Sequence, residues 1–190
     1  MIVLGLDVST SVTAYTLMDT DKPLRNSLIK FEGIHLSKIK NIYEKAEAVR
    51  DHLEKIKNDY NVDVVYVEEA LQTFRRGLSS AKTLSTLMRF NGIVCYILNK
   101  TFQVPVNLVN VIHARSSLGI KINRKIEATV KEQVLEWVKI QNEFKEISWP
   151  TKTMKSGPRK GQTVEDKSCY DIADACVISL YGIRSLNITS

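Results

Sequence analysis

Residues 2–18 (IVLGLDVSTSVTAYTLM) contain the pattern that decides the fold. The run at 2–8 is apolar except for Asp7, and such a run predicts a buried strand. Residues 11–18 are rich in β-branched and aromatic side chains and predict a second strand. The link between the two is short, which favours an antiparallel hairpin. The chain therefore opens with a hairpin whose first strand places a carboxylate beside apolar sequence.

The rest of the chain alternates helices and strands. Further strands are predicted at 27–35, 62–68 and 104–109, and helices at 41–59, 78–99, 126–144 and 169–183. Residues 151–167 are polar and contain Gly157, Pro158 and Gly161, which predicts a loop. An antiparallel start followed by βα alternation predicts an α/β fold, in which a mixed sheet has helices on both faces. We expect a single domain over residues 1–190, since no linker or repeat interrupts the pattern.

Composition narrows the class of protein. Hydrophobic residues make up 44% and charged residues 25% of the 190 residues, which excludes a disordered chain and a disulfide-rich miniprotein. The net charge of +6 gives a mild preference for polyanions. Three cysteines without a Cys-x-x-Cys pair argue against a zinc site and for a reducing compartment. No apolar run is long enough for a membrane span, and the first run is interrupted by Asp7 and has no basic segment before it, unlike a signal peptide. We therefore expect no membrane association and a cytoplasmic location.

Four acidic residues stand beside apolar sequence. Asp7 lies in the first strand, Glu68 ends the strand at 62–68, and Asp171 and Asp174 lie on the last predicted helix. Residues three apart on a helix share a face. An ionised carboxylate in apolar surroundings is costly unless it is paired or bound to a metal. Acids that converge repel one another and divalent cations relieve that repulsion, so all-oxygen ligands predict Mg²⁺.

Each acid taken alone has an ordinary interpretation. Asp7 could cap a turn, Asp171 could favour a helix N-terminus, and Asp174 could pair with a lysine. Glu68 could be solvated at the strand end, and Glu69 is the alternative to Glu68 because strand neighbours point to opposite faces. The four acids together fit phosphodiester hydrolysis assisted by two metal ions, which activate a water and stabilise the leaving oxygen.

Three segments carry a resemblance to a known family. LGLDVSTSVTAY (4–15), VVYVEEAL (64–71) and DIADACVISL (171–180) resemble the RuvC-like Holliday junction resolvases of the RNase H-like superfamily. The resemblance implies an RNase H-like fold with a five-stranded mixed β-sheet flanked by α-helices. It also implies that Asp7, Glu68, Asp171 and Asp174 are catalytic and bind two Mg²⁺ ions, for which Mn²⁺ substitutes.

Two further segments, 103–121 and KEQVLEWV (131–138), resemble the family's strand, helix, basic loop and helix. Arg115 then falls where the family has a basic residue near the junction. Lys131 falls on a catalytic lysine that contacts phosphate near the metals. The candidate DNA-binding residues are Phe74, Arg75, Arg76, Arg115, Lys121, Arg124, Lys125, Lys131, Lys155, Arg159 and Lys160. Two alternatives stay open: a merely solvated basic loop at 152–167, and a packing rather than base-stacking role for Phe74.

The resemblance implies an endonuclease that makes paired nicks in four-way junctions and other branched DNA. The alternatives are another RNase H-like nuclease, of RNase H or transposase type, and a non-catalytic nucleic-acid-binding module. An actin-like ATPase needs two lobes, for which 190 residues are too few. Two departures from the family pattern favour a phage, viral or organellar member. One is the long insertion at 151–167. The other is the segment after Glu68, where the family often has an aromatic wedge and Leu71 or Phe74 would take that role. The location of such a member would be the host cytoplasm, with an organelle as the alternative.

The helix predicted at 78–99 is apolar around most of its circumference. We expect one stripe to face the chain's own sheet, with Leu84, Leu87, Met88 and Ile97. A second stripe remains for another surface, with Phe90, Ile93, Val94 and Tyr96. Because a surface helix needs only one apolar stripe, this pattern predicts a homodimer through the helix. The alternative is coverage by another helix of the same chain.

Overall fold

The computed structural model describes residues 1–70 and 81–188, and it places five strands in one sheet. The strands are β1 (Ile2–Asp7), β2 (Val12–Asp19), β3 (Leu28–His35), β4 (Val64–Glu68) and β5 (Val106–Val109). They lie in the order β3-β2-β1-β4-β5. The first three are antiparallel neighbours, whereas β4 runs parallel to both β1 and β5. The predicted α/β fold with a five-stranded mixed sheet is therefore confirmed.

Five helices accompany the sheet. They are α1 (Ile42–Asp59), α2 (Ala81–Phe102), α3 (Val111–Ser117), α4 (Val130–Lys139) and α5 (Ser168–Ile188), and a 3₁₀ turn spans Leu24–Asn26. Helices α1 and α2 share one apolar core with one face of the sheet. Residues of α3, α4 and α5 share a second core with the other face. In the part of the chain that the structure describes, no helix is both long and apolar enough to cross a bilayer.

Alternation along β1 assigns its side chains to these two cores. Leu4 and Leu6 are fully buried in the core with α1 and α2, whereas Val3 lies in the core with α5. Gly5 shares the face of Val3, and α5 passes so close to it that a Cβ there would overlap Ser179 Oγ. Asp7 is on this face too, because side chains alternate. The small residue at position 5 therefore lets α5 lie directly against the strand that carries Asp7.

Two predictions about the second half of the chain were wrong in detail. The helix predicted at 126–144 is shorter, because Thr129 and Glu132 form a capping box that begins α4. The chain leaves this helix after Lys139 and turns, burying Phe144 in the core. The loop predicted at 151–167 contains an antiparallel hairpin, which adds a separate two-stranded sheet to the fold. Its strands are β6 (Thr151–Thr153) and β7 (Thr163–Glu165).

The faces predicted for α2 were also partly wrong. Phe90 and Val94, expected to face outward, are fully buried, whereas Met88, expected to face inward, is 47% exposed. Tyr96 is 64% exposed, as predicted. Residues four apart lie on one side of a helix, so Phe90, Val94 and Leu98 form the stripe that packs in the core with α1. Any partner surface on α2 must therefore be built from other residues. The start of the predicted helix, 78–80, lies outside the described residues.

Candidate active site

The ends of two parallel strands bring the first two acids together. Asp7 is the last residue of β1 and Glu68 the last of β4. The register pairs Leu6 with Val67, so the two acids are neighbours on the next step of the ladder. The charge of Glu68 acts on the carboxyl group of Asp7. Glu68, rather than its alternative Glu69, is thus the partner of Asp7.

Helix α5 adds the other two acids. Asp171 lies in its first turn and Asp174 follows three residues later, so both lie on one side of the helix. Asp174 is almost fully buried, and Asp171 is partly buried. The charges of Asp171, Asp174 and Glu68 all act on Asp7. The structure therefore brings together the four carboxylates that the sequence singled out, from three separate elements.

Crowding of these acids raises their affinity for protons. Burial raises the pKa of Asp7 well above its usual range, and the neighbouring charges of Glu68, Asp174 and Asp171 raise it further. Burial, together with the charge of Asp174, raises the pKa of Glu68 to about 7, against the effect of the nearby cations. The pKa of Asp174 is also raised, chiefly by burial. At neutral pH the cluster therefore has too little positive charge nearby to balance its carboxylates.

Two basic side chains supply part of that charge. Arg115 Nη2 donates a hydrogen bond to Asp174 Oδ1 at 2.6 Å, and Lys131 Nζ donates one to Asp171 Oδ1 at 2.7 Å. Arg115 Nε is buried and has no hydrogen-bond partner among the described residues. Burial lowers the pKa of Lys131, but the hydrogen bond to Asp171 and the acidic charges outweigh this and raise it. Both cations predicted from the sequence thus lie at the acids.

Capped helices hold these cations in place. Arg115 lies on α3, whose N-cap residue Asn110 accepts hydrogen bonds from two backbone N–H groups at the start of the helix. Lys131 lies in the first turn of α4, which begins at the capping box of Thr129. The amide of Gln133 donates to the carbonyls of Asn123 and Ala128, at 2.9 and 2.8 Å. Gln133 thereby ties the basic loop before α4 to the helix that carries Lys131.

One polar residue that the sequence analysis passed over supports the site from the opposite face. Asn91 of α2 is buried, and its Nδ2 donates to the backbone carbonyl of Glu68 at 3.0 Å. This bond fixes the end of β4, where the Glu68 side chain begins. A lone amide among the apolar residues of α2 was the signal that could have identified it. A cleft of about 180 Å³ opens beside the acids, between Glu68 and the side chains of Leu84 and Leu87.

The donor chemistry of the cluster suits Mg²⁺ or Mn²⁺. Its four acids offer only oxygen ligands, and hard divalent cations prefer oxygen. Within residues 1–70 and 81–188, no group of three or more His, Cys, Asp or Glu side chains forms a ready-made metal site. Two of the carboxylates are instead paired with Arg115 and Lys131. The arrangement thus provides oxygen ligands for such a cation, with two of its four carboxylates held in ion pairs.

The remaining candidate DNA-binding residues fall into three groups. Lys121, Arg124 and Lys125 are exposed on the loop before α4. Between β6 and β7, the turn of the hairpin exposes the cations at positions 155, 159 and 160. The residues of the third group, Phe74, Arg75 and Arg76, lie outside the described residues, as does Leu71.

The topology and the placement of helices define an RNase H-like fold of the RuvC type. A structure of Thermus thermophilus RuvC in complex with a Holliday junction substrate matches with a TM-score of 0.65 at 18% identity, covering 99% of this chain and 96% of that one. A second structure of the same protein matches with a TM-score of 0.62, also at 18% identity, covering 100% and 97%. The yeast mitochondrial Holliday junction resolvase Ydc2 matches at 0.52 with 16% identity, over 96% of this chain and 77% of that one.

These likenesses establish the fold. No protein-family model and no curated protein sequence matches the chain. The resemblance inferred from the short segments is therefore confirmed at the level of the fold, and the activity has to be argued from the site.

Proposed function

We propose that the chain is a structure-selective endonuclease that resolves Holliday junctions and other branched DNA by paired nicks. The observation that carries this proposal is the convergence of Asp7, Glu68, Asp171 and Asp174 beside two cations. Thermus thermophilus RuvC, which shares the fold over nearly its whole length, is bound to a Holliday junction substrate in one of the matched structures. The same substrate class is proposed for this chain.

In this proposal the four carboxylates hold two Mg²⁺ ions, for which Mn²⁺ substitutes. When bound, such ions supply a nucleophilic hydroxide at neutral pH and neutralise the charge that develops on the leaving oxygen. Their binding favours the ionised carboxylates, whereas burial and then mutual repulsion otherwise raise the pKa of Asp7 and Glu68. Asn91 keeps the end of β4, and with it the Glu68 side chain, in a fixed place.

The cations act on the substrate. The Lys131 side chain is 53% exposed although its Nζ is hydrogen-bonded to Asp171, so it can contact a phosphate from the solvent side. Arg115 is more deeply placed against Asp174 and supports it. A positively charged donor fixed next to the scissile phosphate stabilises charge that develops there in the transition state. The exposed loop cations Lys121, Arg124 and Lys125 add phosphate contacts without sequence preference.

The proposed assembly is a homodimer through α2. A Holliday junction offers two equivalent strands, and a two-fold dimer presents two active sites to them. With Phe90 buried in the chain's own core, the surface for a partner is formed by the partly exposed Leu84 and Leu87 together with Met88. Two of these residues also line the cleft beside the acids, so the interface would adjoin the active site.

The dimer is tested by placing a charge on this surface. We expect Met88→Glu to give a folded monomer that no longer makes paired nicks. Asn99→Glu, which adds the same charge at an exposed polar position further along α2, should stay dimeric. Multi-angle light scattering at micromolar concentration, with and without junction DNA, measures the outcome. A wild-type protein that is monomeric in both conditions contradicts the dimer.

The activity is tested on a synthetic four-way junction labelled on each strand in turn. With Mg²⁺ we expect symmetric nicks in two opposing strands, no cleavage in EDTA, and little cleavage of the linear duplex. Asp7→Asn should abolish cleavage but keep junction binding, because binding depends on phosphate contacts. Cleavage by Asp7→Asn at the wild-type rate would exclude the proposed metal site.

The same assay separates the alternatives. Preferential cleavage of an RNA–DNA hybrid would indicate an RNase H-type enzyme. Tight junction binding with no cleavage by the wild type in Mg²⁺ or Mn²⁺ would indicate a non-catalytic binding module.

A further inference from the structure

The charges of the β6–β7 hairpin (residues 151–165) differ between its base and its turn. At the base, Lys152 pairs with Asp166 at 3.4 Å, and Glu165 pairs with Lys139 at 2.6 Å. The turn at 154–162 contains three cations and no acidic residue. These three are exposed, and none has an ion pair with any residue of the described chain. They are Lys155, Arg159 and Lys160.

The turn has a defined conformation of its own. The Gly161 N–H donates to the Met154 carbonyl at 2.8 Å, and the Met154 N–H donates to the Gln162 carbonyl at 2.9 Å. Gly157 and Gly161 have φ values of +79° and +83°, which residues with a Cβ rarely adopt. The cations are therefore carried on a closed turn. A preformed turn loses less conformational entropy when it binds a ligand than an open loop does.

The base of the hairpin is fastened to the helix that carries two of the acids. The Asp166 N–H donates to the Pro150 carbonyl at 2.9 Å, which closes the two ends of the hairpin. Asp166 Oδ1 accepts a hydrogen bond from the Ser168 N–H at 2.8 Å, at the first residue of α5. Asp171 lies in the first turn of that helix. The hairpin thus has a fixed attachment next to the active site.

We propose that this hairpin is a DNA-binding arm that holds the phosphate backbone of a duplex arm of the substrate, away from the scissile phosphate. The inference rests on the proposed function, because it takes branched DNA as the ligand. From Thr151 to Gly157 an extended strand spans at most ~24 Å, at about 3.4 Å per residue. That reach is less than one turn of B-DNA, which is about 34 Å.

The chemistry of the turn selects phosphate rather than bases. Residues 154–162 contain no aromatic side chain on which a base could stack. Two lysines and one arginine with no aromatic neighbour in the turn favour backbone contacts, which position a protein on DNA but carry no sequence information. The arm should therefore contribute affinity and salt dependence and leave the chemical step unchanged.

The test is the triple variant Lys155→Gln, Arg159→Gln, Lys160→Gln in the full chain. Junction binding is measured in EDTA by fluorescence anisotropy over a range of salt concentrations. With a slope of about −0.9 per neutralised phosphate, loss of three contacts should make the log–log salt slope shallower by ~2.7. We expect affinity near 100 mM salt to fall at least tenfold, whereas the single-turnover cleavage rate at saturating protein stays within about twofold of wild type.

A matched control removes the same charge elsewhere. This control is a triple variant in which three exposed lysines are neutralised, and it should leave the salt slope unchanged. Its substitutions are Lys22→Gln, Lys55→Gln and Lys57→Gln. Lys22 follows β2, whose last residue pairs with Ile2 at the end of β1 far from Asp7. A second variant replaces residues 154–162 by Asn-Gly, a two-residue turn suited to a hairpin, and should lose the same salt dependence. Thermal unfolding checks that both variants fold.

Two results distinguish failure of the arm from failure of the proposed function. A salt slope that equals wild type in both hairpin variants overturns the arm, even if the protein resolves junctions. A shallower slope in a protein that cuts no DNA supports the arm and removes the nuclease assignment. A control variant that loses as much slope as the hairpin variants would show a general charge effect and also overturn the arm.

Discussion

The two faces of the sheet use the same strands for different purposes. Toward α1 and α2, β1 presents Leu4 and Leu6, and both are completely buried in apolar surroundings. Toward α5, the same strand presents Val3, then Gly5, then Asp7, so this face changes from apolar packing to acidic chemistry along its length. Side-chain alternation thus lets one strand stabilise the fold and supply the site, and the two roles can be altered separately.

The largest expected effect comes from two adjacent glutamates. Glu68 lies beside Asp7 at the ends of two neighbouring strands, and Glu69 follows it in sequence. We expect Glu68→Gln to slow junction cleavage at least about a thousandfold, which equals about 4 kcal/mol of transition-state stabilisation. The matched change Glu69→Gln should stay within about fivefold of wild type. Single-turnover cleavage of both variants measures the difference, and equal losses would contradict the separation of faces.

The apolar face should affect stability alone. Leu53 of α1 is fully buried, and Leu53→Ala should lower the free energy of unfolding by about 2–5 kcal/mol. Tyr43 lies on the same helix but is 64% exposed, so Tyr43→Ala should cost less than about 0.5 kcal/mol. Urea unfolding gives the stability. Cleavage per folded molecule should match wild type in both variants, and a selective loss of cleavage in Leu53→Ala would contradict this expectation.

Substitution of Lys131 tests whether this side chain acts in the proposed cleavage step or only in DNA binding. Because Lys131 lies at Asp171, Lys131→Ala should slow the chemical step about 10- to 100-fold and change junction affinity less than about threefold. Lys125→Ala removes an exposed loop cation and should mainly weaken binding. Single-turnover rates and dissociation constants, measured for both variants, show whether each residue acts on the chemical step or on binding. If Lys131→Ala only lowers affinity and makes the salt dependence shallower, Lys131 is an ordinary contact to the DNA backbone.

A further expected effect is a pH dependence of stability. The pKa of Glu68 is raised from 4.5 to about 7 in the folded protein, so between these values the folded state binds more protons than the unfolded state. This contribution to stability is complete below pH 4.5 and is lost as the pH rises to about 7. Urea unfolding in EDTA at several pH values should show a smaller decline for Glu68→Gln than for wild type. Identical declines would contradict the raised pKa.

Patterns local in sequence predicted most of the elements and singled out four acids that the structure brings together, because buried strands and acids in apolar sequence leave a clear signature. Packing between elements was harder to predict. Phe90 and Met88 are both apolar, and only the positions of α1 and the sheet decide which of them is buried. Asn91 gave a weak signal, since one amide in an apolar helix gains meaning only when the Glu68 carbonyl is seen beside it. The β6–β7 hairpin was missed because its strands have three residues each and lack an apolar face.

The close approach of α5 to Gly5 joins an early segment of the chain to a late one. During synthesis, β1 leaves the ribosome long before α5 does, so Asp7 exists for most of that time without Asp171 or Asp174 near it. Domains generally fold as units, and here the last helix completes both the second core and the acid cluster. A nascent or C-terminally truncated chain without α5 would therefore lack the assembled acid cluster, whatever part of the sheet it had already formed.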